Sequence, residues 1–232
     1  MKNSLILSSA LAVACAVSAQ AQEFGGELSF RRDGGDGYVF NSGVGALTLR
    51  FDNGLLFQLN GEAGDYENDD YPFTDQVIHI GYQVSDALRV GAFYGEDSYD
   101  GVWYYRQGIE GVFDGDGFGL GASYADYIRT TDTYSILTLR GSYDITDSLT
   151  ANVRYSTTDD DGDIATTVTV GGRYTFSSPV SSSGVAYFAE FDWFSTDDDG
   201  YKYDGIRLQL GMTFGNGRLF DNNSWMTATP LY

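Results

Sequence analysis

Apolar and polar side chains alternate along most of the chain. Between Ile206 and Phe214 the even-numbered residues are apolar, and the residues between them include Arg207 and Gln209. A period of two residues is that of a β-strand, whose successive side chains point to opposite faces. The sequence shows no sustained 3.6-residue period of an amphipathic helix. It therefore predicts an all-β fold.

The alternation predicts twelve strands joined by two kinds of connection. The predicted strands span 24–32, 39–51, 55–64, 76–84, 88–95, 103–113, 118–126, 134–143, 149–157, 166–176, 185–194 and 205–215. Every second connection is a short turn with the Asp, Asn and Gly residues that suit β-hairpins, at 52–54, 85–87, 114–117, 144–148 and the somewhat longer 177–184. The remaining connections are longer and acidic, at 32–38, 65–75, 96–102, 127–133, 158–165 and 195–204.

Three features indicate that the apolar face contacts lipid. Short turns on one rim and longer loops on the other are typical of outer-membrane barrels. Strands of about 9–11 residues can cross a bilayer at a tilt. Aromatic rings, which suit membrane interfaces, are predicted on the apolar face at the strand ends. Those beside the short turns are Phe51, Tyr82, Phe113, Phe118, Tyr143, Tyr174 and Phe214, and those toward the long loops are Tyr94, Trp103, Tyr105, Tyr124, Tyr134, Tyr155 and Trp193.

The predicted fold is a transmembrane antiparallel up-and-down β-barrel of about 12 strands, since closure leaves no unpaired edge in lipid. The even strand number places both termini on the short-turn side. The alternative is a secreted soluble β-sandwich or β-solenoid. Its exposed apolar face would promote aggregation unless something covered it.

The first 21 residues predict a cleaved secretory signal peptide. Lys2 supplies the positive region, residues 5–17 the apolar region, and Ala19-Gln20-Ala21 the cleavage pattern. A lipoprotein cleavage site at Cys15 is the alternative, although the usual Leu three places before the Cys is missing. The barrel is predicted at 22–215. Residues 216–232 follow as a C-terminal tail that forms an extra strand or a plug.

Composition excludes several classes of protein. A formal net charge of −20 argues against a nucleic-acid partner, which requires a basic surface. One Cys and one His cannot build a disulfide framework or a Cys/His zinc site, so we expect no cofactor and no dedicated metal site. Acidic runs such as 159–163 resemble calcium-binding loops in composition but lack the full spacing of the calcium ligands. Loose binding of divalent cations is the simpler expectation for these acidic loops.

The polar face of the strands would line the lumen. The predicted pore-lining residues are Arg50, Glu62, Arg89, Arg106, Glu110, Arg140, Arg154, Arg173, Glu190 and Arg207. Four of them, Arg50, Arg89, Arg140 and Arg173, lie close to the short turns and would form a basic ring. Rings of charged side chains set the selectivity of pores, so the arginine excess predicts a weak preference for anions. The alternative is that these charges pair and fill a closed barrel.

In its architecture, the mature chain resembles the Gram-negative porins and related outer-membrane β-barrels. That resemblance implies a location in the outer membrane, contact with lipid and lipopolysaccharide, and insertion by the barrel assembly machinery. It implies a porin-like channel for passive diffusion of small hydrophilic solutes, with no catalytic residues. A closed structural or adhesive barrel with cation-binding acidic loops is the second candidate. A barrel hydrolase using His79 is the third, because barrel enzymes use a His as general base.

Overall fold

The computed structural model describes residues 23–35, 38–67, 72–99, 101–128, 133–160, 162–177, 184–215 and 217–221. These residues form twelve strands: β1 (Glu23–Gly35), β2 (Tyr38–Arg50), β3 (Leu55–Tyr66), β4 (Phe73–Gln83), β5 (Leu88–Tyr99), β6 (Val102–Asp114), β7 (Phe118–Ile128), β8 (Thr133–Thr146), β9 (Leu149–Asp160), β10 (Asp163–Ser177), β11 (Val185–Asp198) and β12 (Tyr201–Phe214). Within these ranges, no helix has the length and apolarity needed to cross a membrane. The predicted signal peptide, residue 216 and residues 222–232 of the tail lie outside the described residues.

The strands close into one antiparallel barrel. Each strand pairs with its neighbours in sequence, and β1 pairs with β12 from Gly26 opposite Phe214 to Gly35 opposite Gly205. The predicted up-and-down barrel of about 12 strands is confirmed. We call the end of the barrel that carries Glu23, Phe214 and the turn between β2 and β3 the lower end, and the opposite end the upper end.

The two faces of the sheet follow the alternation in the sequence. Ile80 and Leu210 on the outer face are 58% and 63% exposed, whereas Gln58 and His79 on the inner face are fully buried. The aromatic prediction was wrong at Tyr134, which is buried and stacks on Tyr127. Tyr134 lies an even number of residues from Arg140, so it shares the inner face with that arginine.

The strands are longer at the upper end than the sequence predicts. The predicted acidic loop 65–75 is strand at both of its ends, because β3 continues to Tyr66 and β4 begins at Phe73. Likewise, β1 continues to Gly35 and β5 to Tyr99. Strand pairing depends on backbone hydrogen bonds, which polar residues form as well as apolar ones. The paired strands therefore continue beyond the apolar band. This extension carries Asp33, Asp75 and Asp97 onto the inner face, where all three are buried.

A tight turn joins β11 to β12 at the upper end. Asp198 pairs with Tyr201, which leaves only Asp199 and Gly200 between the strands. Both residues have positive φ, 47° and 86°, as a type I′ hairpin requires. The acidic residues 197–199 therefore have a conformational role in this turn. The carboxylate of Asp197 also accepts a 3.2 Å hydrogen bond from the Gly200 amide.

Candidate functional site in the barrel lumen

The lumen contains a polar cavity with a volume of 390 Å³. Its walls come mainly from β6 to β12, with contributions from β1, β2, β3, β5 and the segment after β12. Seven of the predicted pore-lining residues border it: Glu62, Arg89, Arg140, Arg154, Arg173, Glu190 and Arg207. Of the other three, Arg50 lies at the lower end, 3.4 Å from Glu23, and Arg106 and Glu110 are buried in side-chain clusters.

A chain of ion pairs crosses the inner wall from β3 to β12. Arg31 lies 2.7 Å from Glu62 and 3.4 Å from Asp33. Asp33 also accepts hydrogen bonds from Arg207 at 3.0 and 3.1 Å. Ser42 donates to Glu62 at 2.7 Å. Since all these side chains are buried, each charge depends on its neighbours for compensation.

Arg173 connects two carboxylates in the lower half of the lumen. It donates to Glu190 at 2.7 Å and to Glu27 at 2.9 Å, and its guanidinium lies 4.0 Å from the centroid of the Phe188 ring. Its neighbours in the predicted basic ring are also paired: Arg89 with Asp114, Arg140 with Asp221 and Arg50 with Glu23. The ring is therefore compensated by carboxylates.

The upper half of the lumen contains a buried charged cluster within an apolar surround. Arg106 donates to both Asp75 and Asp97, and its guanidinium lies 5.7 Å from the centroid of the Tyr127 ring. Buried side chains of Val77, Phe93, Ala125, Tyr127, Tyr134 and Ile136 form an apolar core here. A second core contains Phe40 and Phe73, with Tyr66 and Tyr99 packed against it. Part of the upper lumen is thus filled by side chains.

His79 occupies the inner wall of β4 and is fully buried. Its Nδ1 lies 2.6 Å from Glu110 Oε1, and its Nε2 lies 2.9 Å from Asn60 Nδ2. The Asn60 amide nitrogen also donates to the carbonyl of Asp221, so it acts as a donor toward Nε2. Nδ1 then carries the proton that is donated to Glu110. Both ring nitrogens are therefore engaged within the wall.

The chain turns into the lumen directly after β12. Gly215 and Gly217 have φ values of 56° and 64°, a left-handed conformation that favours glycine. A Cβ atom at Gly215 would lie 2.0 Å from the carbonyl oxygen of Phe24, which no side chain could tolerate. These glycines reverse the chain at the lower end, and residues 217–221, which we call the lumenal segment, lie inside the barrel.

The lumenal segment is held by its backbone. Gln58 accepts hydrogen bonds from the Leu219 and Phe220 amides at 2.7 and 2.9 Å, and donates to the Phe220 carbonyl at 2.7 Å. Arg89 donates to the Leu219 carbonyl at 2.6 Å, and Thr48 to the Gly217 carbonyl at 3.0 Å. Leu219 and Phe220 are buried against Leu56 and Val112.

The charged side chains of the lumenal segment form ion pairs with the barrel wall. Asp221 lies 2.6 Å from Arg140 and 2.8 Å from Arg154, and Arg218 lies 2.5 Å from Glu27. Removal from water opposes ionisation of the Asp221 carboxyl, but Arg140, Arg154 and Arg218 outweigh this effect and hold its pKa well below the ordinary value. Asp221 is therefore charged at neutral pH.

Several charged residues of the lumen lie outside the set predicted from the sequence. Asp33, Asp75 and Asp97 lie in predicted loops, and Arg218 and Asp221 lie in the predicted C-terminal tail, for which an extra strand or a plug is expected. A period of two residues could have identified Asp33 as a lumenal residue, because it follows Arg31 at the spacing of a strand. No comparable local pattern places Arg218 and Asp221 inside the barrel.

A closed barrel of twelve strands with an apolar outer surface and a polar lumen has the fold of outer-membrane channel proteins. Solved structures with this fold include a KdgM porin, which is 16% identical and has a TM-score of 0.59 over 81% of this chain and 98% of that chain. A KdgM porin has also been solved in complex with disordered oligogalacturonate. The sequence matches no protein-family model and no curated protein.

Two further channels have a similar structure. The NanC porin is 12% identical and has a TM-score of 0.61 over 79% of this chain and 98% of that chain. The COG4313 outer membrane channel from Pseudomonas putida F1 is 12% identical and has a TM-score of 0.56 over 83% of this chain and 95% of that chain. At these identities, the likeness is one of fold.

Proposed function

We propose that the protein is a porin-like channel of the outer membrane through which small hydrophilic solutes diffuse passively. The observation that carries this proposal is the 390 Å³ polar cavity inside a closed barrel with an apolar exterior. Its volume falls within the range of about 300–1,000 Å³ typical of small-molecule pockets. Twelve strands lie between the filled eight-strand barrels and the open sixteen-strand porins.

Diffusion through such a lumen needs neither turnover nor a cofactor. Polar groups of the wall, such as Asn152, Thr150 and Gln209, would replace part of the hydration of a passing solute. The likeness to the KdgM and NanC porins supports this function, since each aligns with this chain over 98% of its own length. The proposal therefore assigns the cavity to permeation and no described residue to catalysis.

Selectivity in this proposal follows from the pairing of charges. Arg140, Arg154 and Arg173 border the cavity, but each has a carboxylate within 3 Å. Paired charges create weaker fields than isolated ones, so we expect only a small difference between anion and cation permeability. Acidic hairpins at the upper end would favour cations at the entrance.

The cellular setting is part of the proposal. Residues 1–21 would direct export and be cleaved, and the assembly machinery would insert residues 22–215 as a barrel. Lipid would contact the exposed outer face, which includes Ile80 and Leu210. The acidic upper hairpins would lie beside lipopolysaccharide and bind divalent cations loosely.

Planar-bilayer recording of the purified full-length protein tests the channel. We expect discrete conductance steps and a reversal potential near zero under a salt gradient. Arg173→Gln should shift the reversal potential toward cation preference, because it leaves Glu27 and Glu190 without this guanidinium. Arg32→Gln is the matched control: this arginine pairs with Glu67 in an exposed position at the upper end. Folded protein that gives no conductance would contradict the channel.

A closed structural or adhesive barrel is the second candidate. It is favoured by the apolar cores and the Arg106 cluster, which fill part of the upper lumen. Silent bilayers, together with the heat-modifiable gel mobility of a folded barrel, would select this candidate.

The hydrolase candidate requires an accessible His79, but Glu110 and Asn60 engage both ring nitrogens and Phe220 covers one ring face. Esterase activity lost in His79→Ala would support it.

A further inference from the structure

The lumenal segment spans much of the cross-section of the lower lumen. It is contacted by Thr48 on β2, Gln58 on β3, Arg89 on β5 and Arg154 on β9, strands from widely separated parts of the barrel wall. Residues 218–221 also border the 390 Å³ cavity. The segment therefore lies inside the space that a solute would have to cross.

The barrel wall is shaped to receive this segment. The wall beside the Phe220 ring consists of glycines. A Cβ atom added to Gly81 would lie 2.5 Å from the ring, and one added to Gly91 would lie 3.1 Å from it. His79 stacks on the same ring at a centroid distance of 5.7 Å. Leu56 and Val112 complete the apolar surround. Phe220 thus occupies a pocket that only small residues leave open.

Polar groups make a second, independent set of contacts. The Gln58 side chain bonds to both the amide and the carbonyl of Phe220, as a neighbouring strand would, and also accepts from the Leu219 amide. Asp221 supplies the carboxylate that Arg140 and Arg154 share. The segment therefore fills space and also compensates two arginines of the cavity wall.

We propose that residues 217–221 are an intrinsic plug, which closes the lower half of the lumen and leaves it when the channel conducts fully. This inference extends the proposed channel function and rests on it. Displacement of the plug would widen the lumen and remove the Asp221 carboxylate from Arg140 and Arg154. Opening would therefore raise conductance and shift selectivity toward anions together.

Two single substitutions in the full-length protein test whether these two effects occur together. Phe220→Ala removes the apolar anchor without changing charge, and Asp221→Asn removes the carboxylate. We expect each to raise single-channel conductance by about twofold or more and to shift the reversal potential toward anions. Asp116→Asn, in an exposed turn at the same end, removes the same charge and should leave both quantities unchanged.

Thiol labelling tests the plug independently of conductance. Leu56 is fully buried beneath Phe220, so a Leu56→Cys thiol should react slowly with a membrane-impermeant maleimide. Adding Phe220→Ala should accelerate that reaction by about tenfold or more, because the rate follows the exposed population. Ser142→Cys, which borders the cavity, should react at a similar rate with or without Phe220→Ala.

A peptide with the sequence of residues 217–221 gives a final test. Added to the lower side of a Phe220→Ala channel, it should reduce conductance toward the wild-type value, and a peptide with Phe replaced by Ala should not. Unchanged conductance and labelling in folded Phe220→Ala protein would overturn the plug. If all variants are electrically silent but labelling accelerates, the channel proposal fails and the segment is still shown to cover the lower lumen.

Discussion

The Phe220 ring lies flat against the imidazole of His79, with ring centroids 5.7 Å apart and 5° between the planes. His79 is in turn bonded to Glu110 and Asn60, and Asn60 donates to the Asp221 carbonyl. The end of the described chain is therefore linked to the buried polar network of β3, β4 and β6.

His79→Ala should lower the free energy of unfolding by about 3 kcal/mol, because the buried Glu110 carboxylate loses its Nδ1–H donor. Urea unfolding from lipid vesicles measures the change. The double variant His79→Leu/Glu110→Leu should recover part of the loss, since it removes the charge together with its partner. A double variant less stable than His79→Ala would contradict this account.

Arg106→Met should destabilise the barrel by about 3–5 kcal/mol, because Asp75 and Asp97 are both buried beside this guanidinium. The same unfolding experiment checks it. Neutralising both carboxylates in the Arg106→Met background should restore much of the stability. Arg32→Met is the control: its pair with Glu67 is about half exposed, so its effect should stay below about 1 kcal/mol.

Gly217→Val should weaken docking of the lumenal segment, because its φ of 64° is costly for a β-branched residue, by about 1–2 kcal/mol. Space is not the obstacle, since a Cβ atom at this position would lie no closer than 3.9 Å to its nearest neighbour, the Thr213 side chain. Gly217→Asn is the matched control, because asparagine tolerates this conformation. The Leu56→Cys labelling rate should rise in the first variant and change little in the second.

Gly200→Val should loosen the upper end of the β11–β12 hairpin, where Gly200 has a φ of 86°. Faster hydrogen exchange of the amides near Asp198 and Tyr201 would report the change, while exchange at the lower end stays the same. Asp199→Asn should exchange like the wild type, since asparagine suits a type I′ turn. Equal exchange in both variants would refute the turn assignment.

Acid should release the lumenal segment by protonating the Asp221 carboxylate. The pKa of this carboxyl in the folded protein is below its ordinary value of 3.8, so its stabilising effect is fully present above that pH and is lost as the pH falls below it. The conductance ratio of Asp221→Asn to wild type should be constant from about pH 7 to pH 5, and should approach one in stronger acid. A ratio that changes mainly near pH 6 would identify a different group.

Much of the fold could be predicted from local sequence. Alternation correctly placed Gln209 inside and Leu210 outside. The lower ends of the strands were also close, because Asp, Asn and Gly mark those turns. The upper ends were predicted too short, because a change to acidic composition does not end a strand whose backbone partners continue. Asp75 and Asp97 were therefore missed as partners of Arg106.

Local sequence alone specifies which side chains face the lumen and which face outward, since that choice depends on a period of two residues along a single strand. The pairing of the lumenal charges depends instead on the three-dimensional fold. Glu27 meets Arg173 and Gln58 meets Phe220 because closure of the barrel brings distant strands and the lumenal segment together. Such contacts depend on the register and curvature of all twelve strands, which no local pattern encodes.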